Sequence, residues 1–341
     1  MKLTSVSEIQ TSGKVLLRMD LDVPISGGSV TDNSRLKKSL LTIKLLLEKG
    51  CKIVIIGHRG RPSGRVEELS LRPVYAELMS LLEQNGHDVV ESMFVDEVDN
   101  REKINDAIEA NKIVFMENLR FYEGEKNNDD IFLGAVKEVC QCFVNDAFGV
   151  AHRKEASIML WQKMPTFYGL NFVDEVEKLE RLRGNPQRPM TVLLGGAKED
   201  KLNYLPELAT WADKVLVAGK LISKVSEEDL RNEKIKVGML SETGLDINEA
   251  SIVEFKNILT ETKTVVWAGA LGKFEVEEGQ RSTEEMARFL AEREIFWVMA
   301  GGDSLASIKN LGLNDKVDLV ISGGGVTLEY LTKGTLPAWE S

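Results

Sequence analysis

Eight cationic side chains stand where apolar, strand-like runs of the chain end: Arg18, Arg35, His58, Arg59, Arg61, Arg120, His152 and Arg153. Arginine presents a planar fork of donors that suits bidentate recognition of phosphate and carboxylate. A single arginine after a strand is more often one half of a surface ion pair. Here RMDLDVP (18–24), GHRGRP (57–62), ENLRF (117–121) and NDAFGVAHR (145–153) each deliver at least one, from four successive strand ends. Convergence from well separated segments points to a small anionic partner, a phosphorylated metabolite rather than a nucleic acid. Asp20 and Asp22, inside the first motif, suit hydrogen bonds from a substrate hydroxyl or the orientation of the arginines.

A second set of motifs is rich in glycine: GGAKEDK (195–201), WAGALGKFE (267–275), AGGDS (300–304) and SGGGV (322–326). Glycine after a strand lets backbone amides approach a phosphate at a helix N-terminus. None of these is a Walker A loop, since GALGK has the wrong spacing and Phe274 stands where Ser or Thr is needed. No GxGxxG follows the first strand, which argues against a nicotinamide site. Asp303, behind a glycine pair, suits either a Mg²⁺ ligand or a helix N-cap. Glu275 suits a ribose hydroxyl or a solvated face.

These residues must be positioned by a βαβ grammar. Apolar, β-branched runs at 15–19, 53–57, 89–94, 113–116 and 142–145 alternate with helical spacing at 34–49, 71–85, 98–110 and 129–139. Gly50 and Gly86 stand where C′ glycines belong. After a Gly/Pro-bounded stretch at 165–169, an amphipathic helix over 171–183 is expected to connect two domains. A second series of strands follows at 191–194, 215–217, 265–267, 296–299 and 319–321, with a weaker candidate at 234–237. Continuous apolar strands imply parallel sheets covered on both faces, with ligands beyond the carboxyl ends of the strands.

At 341 residues, with 43% hydrophobic and 28% charged content, the chain is long enough for two cores and too polar for a membrane protein. A net charge of -11 disfavours nucleic acid and anionic membranes. Cys51, Cys140 and Cys142 have no disulfide or metal-ligand spacing, which suits buried thiols in a reducing cytoplasm. No signal peptide or run of membrane-spanning length is evident.

In order and wording, RMDLDVP, GHRGRP, ENLRF, DAFGVAHR, GGAK, WxGxxGxFE, GGDS and SGGG together resemble the phosphoglycerate kinase family, over nearly the whole chain. The resemblance implies an α/β fold of two Rossmann-like domains, each a parallel β-sheet flanked by helices, joined by an interdomain helix. The expected layout is a phosphoglycerate-binding domain at 1–168, a helix and hinge at 169–185, and a nucleotide-binding domain at 186–341 whose C-terminal tail returns to the first. It further implies a cytoplasmic, monomeric glycolytic kinase that closes around 3-phosphoglycerate or 1,3-bisphosphoglycerate and Mg²⁺-bound ATP or ADP, with no nucleic-acid or membrane partner.

Carried over by position, Asp20, Asp22, Arg35, His58, Arg59, Gly60, Arg61, Arg120 and Arg153 would hold the phosphoglycerate. Gly196, Lys198, Lys201, Gly219, Glu275, Gly301, Gly302, Asp303, Ser304, Gly323 and Gly324 would handle the nucleotide, with Asp303 on the metal. Arg35, Lys198 and Lys201 would act on the phosphoryl group in flight. The chain also departs from the family's pattern. Asp22 stands for Asn, and Arg59 for an apolar residue. Lys198 and Lys201 are three apart rather than four, and Ala218, Ala268, Ala270, Lys273, Ala300, Ser304 and Ile321-Ser322 replace usual residues. The stretch 220–249 is short, so the second domain is expected to be trimmed. Two alternatives share the motifs: a noncatalytic or regulatory descendant that binds the same ligands, and a kinase of another carboxylate.

Overall fold

The computed structural model of the protein describes residues 3–86, 91–129 and 131–339, with the backbone alone at Asp303, Ser304 and Ala306. The chain divides into two compact units, one running to Asp174 and including the segment from Pro337, the other Glu175–Leu336.

In the first unit the strands are β1 (Lys14–Met19), a short antiparallel hairpin of β2 (Ile25–Ser26) and β3 (Ser29–Val30), β4 (Lys52–Ile56), β5 (Ser92–Val95), β6 (Ile113–Met116), β7 (Cys142–Asp146) and β8 (Thr166–Tyr168). Apart from the hairpin they form one parallel sheet in the order β5-β6-β4-β1-β7-β8. Strand side chains alternate between faces, so β1 and β4 supply two cores. Val15, Leu17, Ile53 and Ile55 pack with Leu36, Ile43, Val74 and Leu78 of the helices Ser34–Glu48 and Arg72–Gln84. Leu16, Val54 and Ile56 pack with Ile104, Ile108 and Val136 of the helices Arg101–Ala110 and Gly134–Val139. Every residue of β6 and β7 is buried, as continuous apolar runs require.

The second unit holds β9 (Met190–Leu194), β10 (Lys214–Val217), β11 (Ile235–Val237), β12 (Thr264–Ala268), β13 (Phe296–Ala300) and β14 (Leu319–Ile321), all parallel, in the order β11-β10-β9-β12-β13-β14. That is a doubly wound sheet whose strand order reverses between β9 and β12, the place where such sheets bind ligands. Its core includes Trp267 and Trp297, stacked with centroids 5.9 Å apart, and Phe255 and Met286 from the helices Glu249–Thr260 and Arg281–Ala291.

Three local expectations give way to side-chain chemistry. The Gly/Pro-bounded stretch 165–169, not expected as a strand, contains edge strand β8; Pro165 lacks an amide, but its carbonyl accepts from Phe143 at 2.9 Å, which an edge position permits. The helix expected from 98 starts at Arg101, because the Asn100 Oδ1 caps it by accepting from the Lys103 amide at 3.1 Å. The helix expected from 129 starts at Gly134, after a turn in which Leu133 adopts φ 64° and the Asp129 Oδ1 accepts from the Ile131 amide at 2.8 Å. Of the strand expected at 89–94, residues 89 and 90 lie outside the described residues. Gly50 and Gly86 do adopt the left-handed conformation that ends a helix, with φ of 78° and 80°.

The expected connecting helix spans Leu170–Gly184, and the division between the units falls within it. Its first turn is held from below: the Leu170 amide donates to Thr42 Oγ1 at 3.0 Å and the Phe172 amide to Asp146 Oδ1 at 3.1 Å. The chain end is anchored on the first unit. Trp161 Nε1 donates to the Pro337 carbonyl at 2.7 Å, and Tyr168 Oη to the Ala338 carbonyl at 2.9 Å. Among the described residues no helix is long and apolar enough to cross a membrane.

Burial has two measurable consequences. Desolvation raises all three thiols, Cys140 to about 12 and Cys142 to about 11, so none is a ready nucleophile. A thiol reagent should titrate no cysteine in the native protein and three after denaturation. Asp146, fully buried, is pushed by desolvation from 3.8 up to about 7, against the opposing pull of hydrogen bonds from Ser39 and the Phe172 amide. The folded protein therefore holds a proton that the unfolded chain releases, so this stabilisation is full below about pH 4 and is lost as pH rises through about 7. Asp146→Asn should reduce the fall in urea-denaturation stability between about pH 5 and pH 8; identical pH slopes would rule the effect out.

Candidate active site

At the carboxyl end of β1 the fully buried Arg18 organises the cationic cluster. Its Nε donates to Ser157 Oγ at 2.9 Å, its Nη1 to the Met19 carbonyl at 2.5 Å, and its Nη2 to His58 Nδ1 at 2.7 Å. Buried Glu125 completes the brace, accepting from Ser157 Oγ at 2.5 Å and from the Ser157 amide at 2.9 Å. A guanidinium can only donate, so His58 must accept at Nδ1 and carry its proton at Nε2. Burial, followed by the charges of Arg18, Arg120, Arg35 and Arg153, holds the His58 pKa well below its usual range. His58 is thus a neutral donor.

Several of the remaining candidates are linked at the neighbouring strand ends. Arg35 Nη1 reaches Asp20 Oδ1 at 3.1 Å, and Asp22 Oδ1 accepts from the Gly60 amide at 3.0 Å. Gly60 itself has φ 66°, a conformation that side chains resist, and its carbonyl accepts from Arg120 Nη1 at 2.7 Å. Arg120 is nearly buried and pairs through Nη2 with Glu155 at 2.6 Å. Arg59 turns away from this cluster, its guanidinium donating to the carbonyls of Val23 and Glu68. It therefore ties two loops together. Arg61 is exposed and has no partner among the described residues, and the buried Nε of Arg153 has no hydrogen-bond partner.

In the second unit the strand-order reversal is lined by close backbone approaches. A Cβ on Gly195 would lie 2.3 Å from the Ala270 carbonyl oxygen, and one on Gly269 2.2 Å from that of Gly195. The amides of Gly195 and Gly196 are engaged by the carbonyls of Ala268 and Ala270, at 3.0 and 2.7 Å. These two glycines thus serve the close approach of chain segments rather than offering amides to a ligand. Lys201 Nζ sits among them, donating to the carbonyls of Gly195 at 2.7 Å and Ala268 at 2.9 Å. The spacing of Lys198 and Lys201 also has a structural reason. Residues Glu199–Tyr204 form a 3₁₀ helix with Lys198 as its N-cap, and three residues complete one 3₁₀ turn.

Gly219 opens the 3₁₀ segment Gly219–Lys224 with φ 67°, against the Gly196 backbone. Two helices begin at the ends of β13 and β14, Gly302–Asn310 behind Gly301 and Gly324–Lys333 behind Gly323. The first amides of any helix lack intrahelical partners and carry its positive dipole end, a setting for phosphate. Exposed Glu275 has no partner among the described residues. The Asp303 and Ser304 side chains, the expected metal ligand and its neighbour, lie outside the described residues.

A family model described as phosphoglycerate kinase matches residues 6–236 and 223–334. The chain belongs to the phosphoglycerate kinase family. It is 33% identical to the phosphoglycerate kinase of Thermosipho africanus, over 99% of this chain and 97% of that one, and 31% identical to that of Rubrobacter xylanophilus, over 98% and 96%. Among solved structures, phosphoglycerate kinase from Pyrococcus horikoshii OT3 matches with a TM-score of 0.80 and 25% identity, covering 98% of this chain and 97% of that one. The Coxiella burnetii enzyme matches with a TM-score of 0.74 and 26% identity, covering 99% and 98%. The reaction is the family's glycolytic one, reversible phosphoryl transfer between 1,3-bisphosphoglycerate and ADP giving 3-phosphoglycerate and ATP. The alignment with the Thermosipho protein runs to 396 positions against 341 residues here, so that relative has segments this chain lacks. The family match comes in two stretches that overlap at 223–236, within the stretch that looks short in the sequence.

Several contributors were not among the candidate site residues. Arg18 is conspicuous by charge, but its work is to hold His58. Asn118 binds both strand-end loops: its Oδ1 accepts from the amides of Arg59 and Arg120, and its Nδ2 donates to the carbonyls of Arg59 and Leu69. Its place in ENLRF is the only hint. Glu155, which nothing in the sequence singles out, is the buried partner of Arg120.

The His58 tautomer is directly observable. Ring-nitrogen NMR should report an uncharged His58 protonated at Nε2, unchanged between about pH 5.5 and 8. A His58 titration midpoint near 6.5 would contradict the arrangement.

Proposed function

We propose that the first unit holds the phosphoglycerate through Asp20, Asp22, Gly60, His58, Arg35, Arg61, Arg120 and Arg153, and that the second holds the nucleotide through Lys198, Lys201, Gly219, Glu275, Gly301, Gly302, Asp303, Ser304, Gly323 and Gly324, with Gly196 serving the close approach of the chain segments there. The observation that carries this reading is an excess of donors in the strand-end motifs of the first unit: an exposed Arg61, a buried Arg153 Nε without a partner among the described residues, and a neutral imidazole with its proton at Nε2. An anion with several oxygens supplies the missing acceptors. Arg59 enters as a support of the two loops rather than as a ligand.

A carboxylate acceptor is ionised at neutral pH, so phosphoryl transfer to it needs no general base. The tasks left are in-line positioning and neutralisation of charge on the group in flight. Arg35 at the acceptor and Lys198 at the nucleotide supply that charge. Lys201, anchored on two strand-end carbonyls, fixes a further positive charge at the strand-order reversal. Mg²⁺ fits as a companion of the nucleotide phosphates. It needs one or two carboxylates rather than a protein cage, and among the described residues no group of three or more His, Cys, Asp or Glu could form one. Asp303 is the carboxylate assigned to it, and the bound ion would lower the negative charge of the phosphates. Because the acceptor and the nucleotide are assigned to different units, transfer requires the two ligands to be brought into bonding range, the closure expected from the sequence. The protein is read as a cytoplasmic monomer without nucleic-acid or membrane partners, which its net charge of -11 and three buried thiols support.

Calorimetry tests the substrate assignment. Arg61→Ala and Arg153→Ala should each weaken 3-phosphoglycerate binding by about ten-fold or more, the scale of one charged hydrogen bond, and leave ADP binding unchanged. Lys198→Ala should lower kcat far more than the affinity for either substrate, because its charge counts most in the transition state. An unchanged kcat would remove Lys198 from the mechanism.

A further inference from the structure

We propose that Glu155 sets the affinity of the substrate site by competing with the anionic substrate for Arg120. The inference rests on reading the first unit as the phosphoglycerate site, and it concerns a residue outside that assignment. Arg120 Nε and Nη2 both donate to Glu155 Oε1, at 3.1 and 2.6 Å, while Nη1 donates to the Gly60 carbonyl. The two side chains are only 7% and 11% exposed. Three of the five guanidinium hydrogens are therefore engaged before any substrate arrives.

The manner in which Glu155 is held separates it from its neighbours. Glu117 accepts from the amides of Leu71 and Asn118 and from Ser70 Oγ, using both oxygens. Glu125 accepts from the Ser157 amide and hydroxyl, again with both. Those carboxylates are fixed parts of the framework. Glu155, by contrast, is bound through one oxygen to one residue, and its buried Oε2 has no hydrogen-bond partner. A buried ion pair adds net stability only when its remaining lone pairs are satisfied, although removing one partner strands the other, so this pair is held chiefly by its own charges. It is well suited to exchange. A phosphate or carboxylate can replace Glu155 on the same Arg120 donors, and the cost of releasing Glu155 is subtracted from the affinity for the incoming anion. Glu155 is in this sense an internal substitute for substrate that keeps Arg120 extended and moderates binding of a product that must leave.

The test is calorimetric titration of 3-phosphoglycerate into the full-length protein and into Glu155→Gln, Glu155→Ala and Arg120→Gln. Gln keeps the shape of Glu155 and an acceptor for Arg120 while removing the charge, and Ala removes both. Each Glu155 variant should bind 3-phosphoglycerate about five-fold or more tightly than the wild type, as expected when one nearby like charge is removed, with ADP affinity unchanged. Each should melt at a lower temperature without ligand and show a larger rise in Tm on adding 3-phosphoglycerate. Arg120→Gln should weaken binding. If Arg120→Gln weakens binding while the Glu155 variants bind no more tightly than the wild type, the competition is disproved and the site assignment stands. If Arg120→Gln has no effect either, the site assignment falls and this inference with it.

Discussion

The architecture of the first unit depends on one constraint: several guanidinium groups must be held close together, unneutralised enough to attract an anion, at the end of a sheet whose interior is apolar. Like charges in a low-dielectric setting repel strongly, so the cluster depends on the bracing of Arg18, Arg120 and Arg35. Arg18 is held by Ser157, which Glu125 supports, and by His58, which is obliged to be neutral. Arg120 is held by Glu155 and Gly60, and Arg35 by Asp20. The bracing residues come from different strand ends, so the sheet order β4-β1-β7 is the means by which separated motifs become one site. The buried Glu125 feels the opposite pull, its pKa raised by desolvation against the charge of Arg18 and the Ser157 hydrogen bonds.

The second unit meets a different constraint. Its glycines at 195, 219 and 269 allow three loop segments to touch where strand order reverses. Lys201 binds this junction through the carbonyls of Gly195 and Ala268. The two stretches of the family match overlap at 223–236, beside edge strand β11 and away from this junction, and the six-stranded sheet is complete.

Much of this was legible in the sequence because the relevant signals are local. Continuous apolar runs marked the parallel strands, and helical spacing marked the longer helices of the first unit and the connecting helix. Motif order identified the family, and with it the reaction. The failures have physical causes. Strand β8 was hidden by Pro165 and Gly169, which mark a loop unless the strand is known to lie at an edge. The start of the helix at Arg101 depended on the Asn100 cap, one side chain among several polar candidates. The direction of Arg59 and the burial of Glu155 depend on tertiary neighbours, Val23 and Glu68 for one and Arg120 for the other, that no spacing rule identifies. Lys201 was recognisable as a lysine of the right motif, but its three-residue offset made sense only with the 3₁₀ turn in view.

The central claim is that this braced arginine cluster holds the acceptor of a phosphoryl transfer, with Arg35 nearest the group in flight. Steady-state phosphorylation of 3-phosphoglycerate by Mg-ATP, compared between the wild-type protein and Arg35→Ala, tests it most directly. The account predicts robust turnover by the wild type and a fall in kcat of about a hundred-fold or more in the variant, the scale of removing one electrostatic stabiliser of a transition state. Equal rates for the two proteins would contradict it.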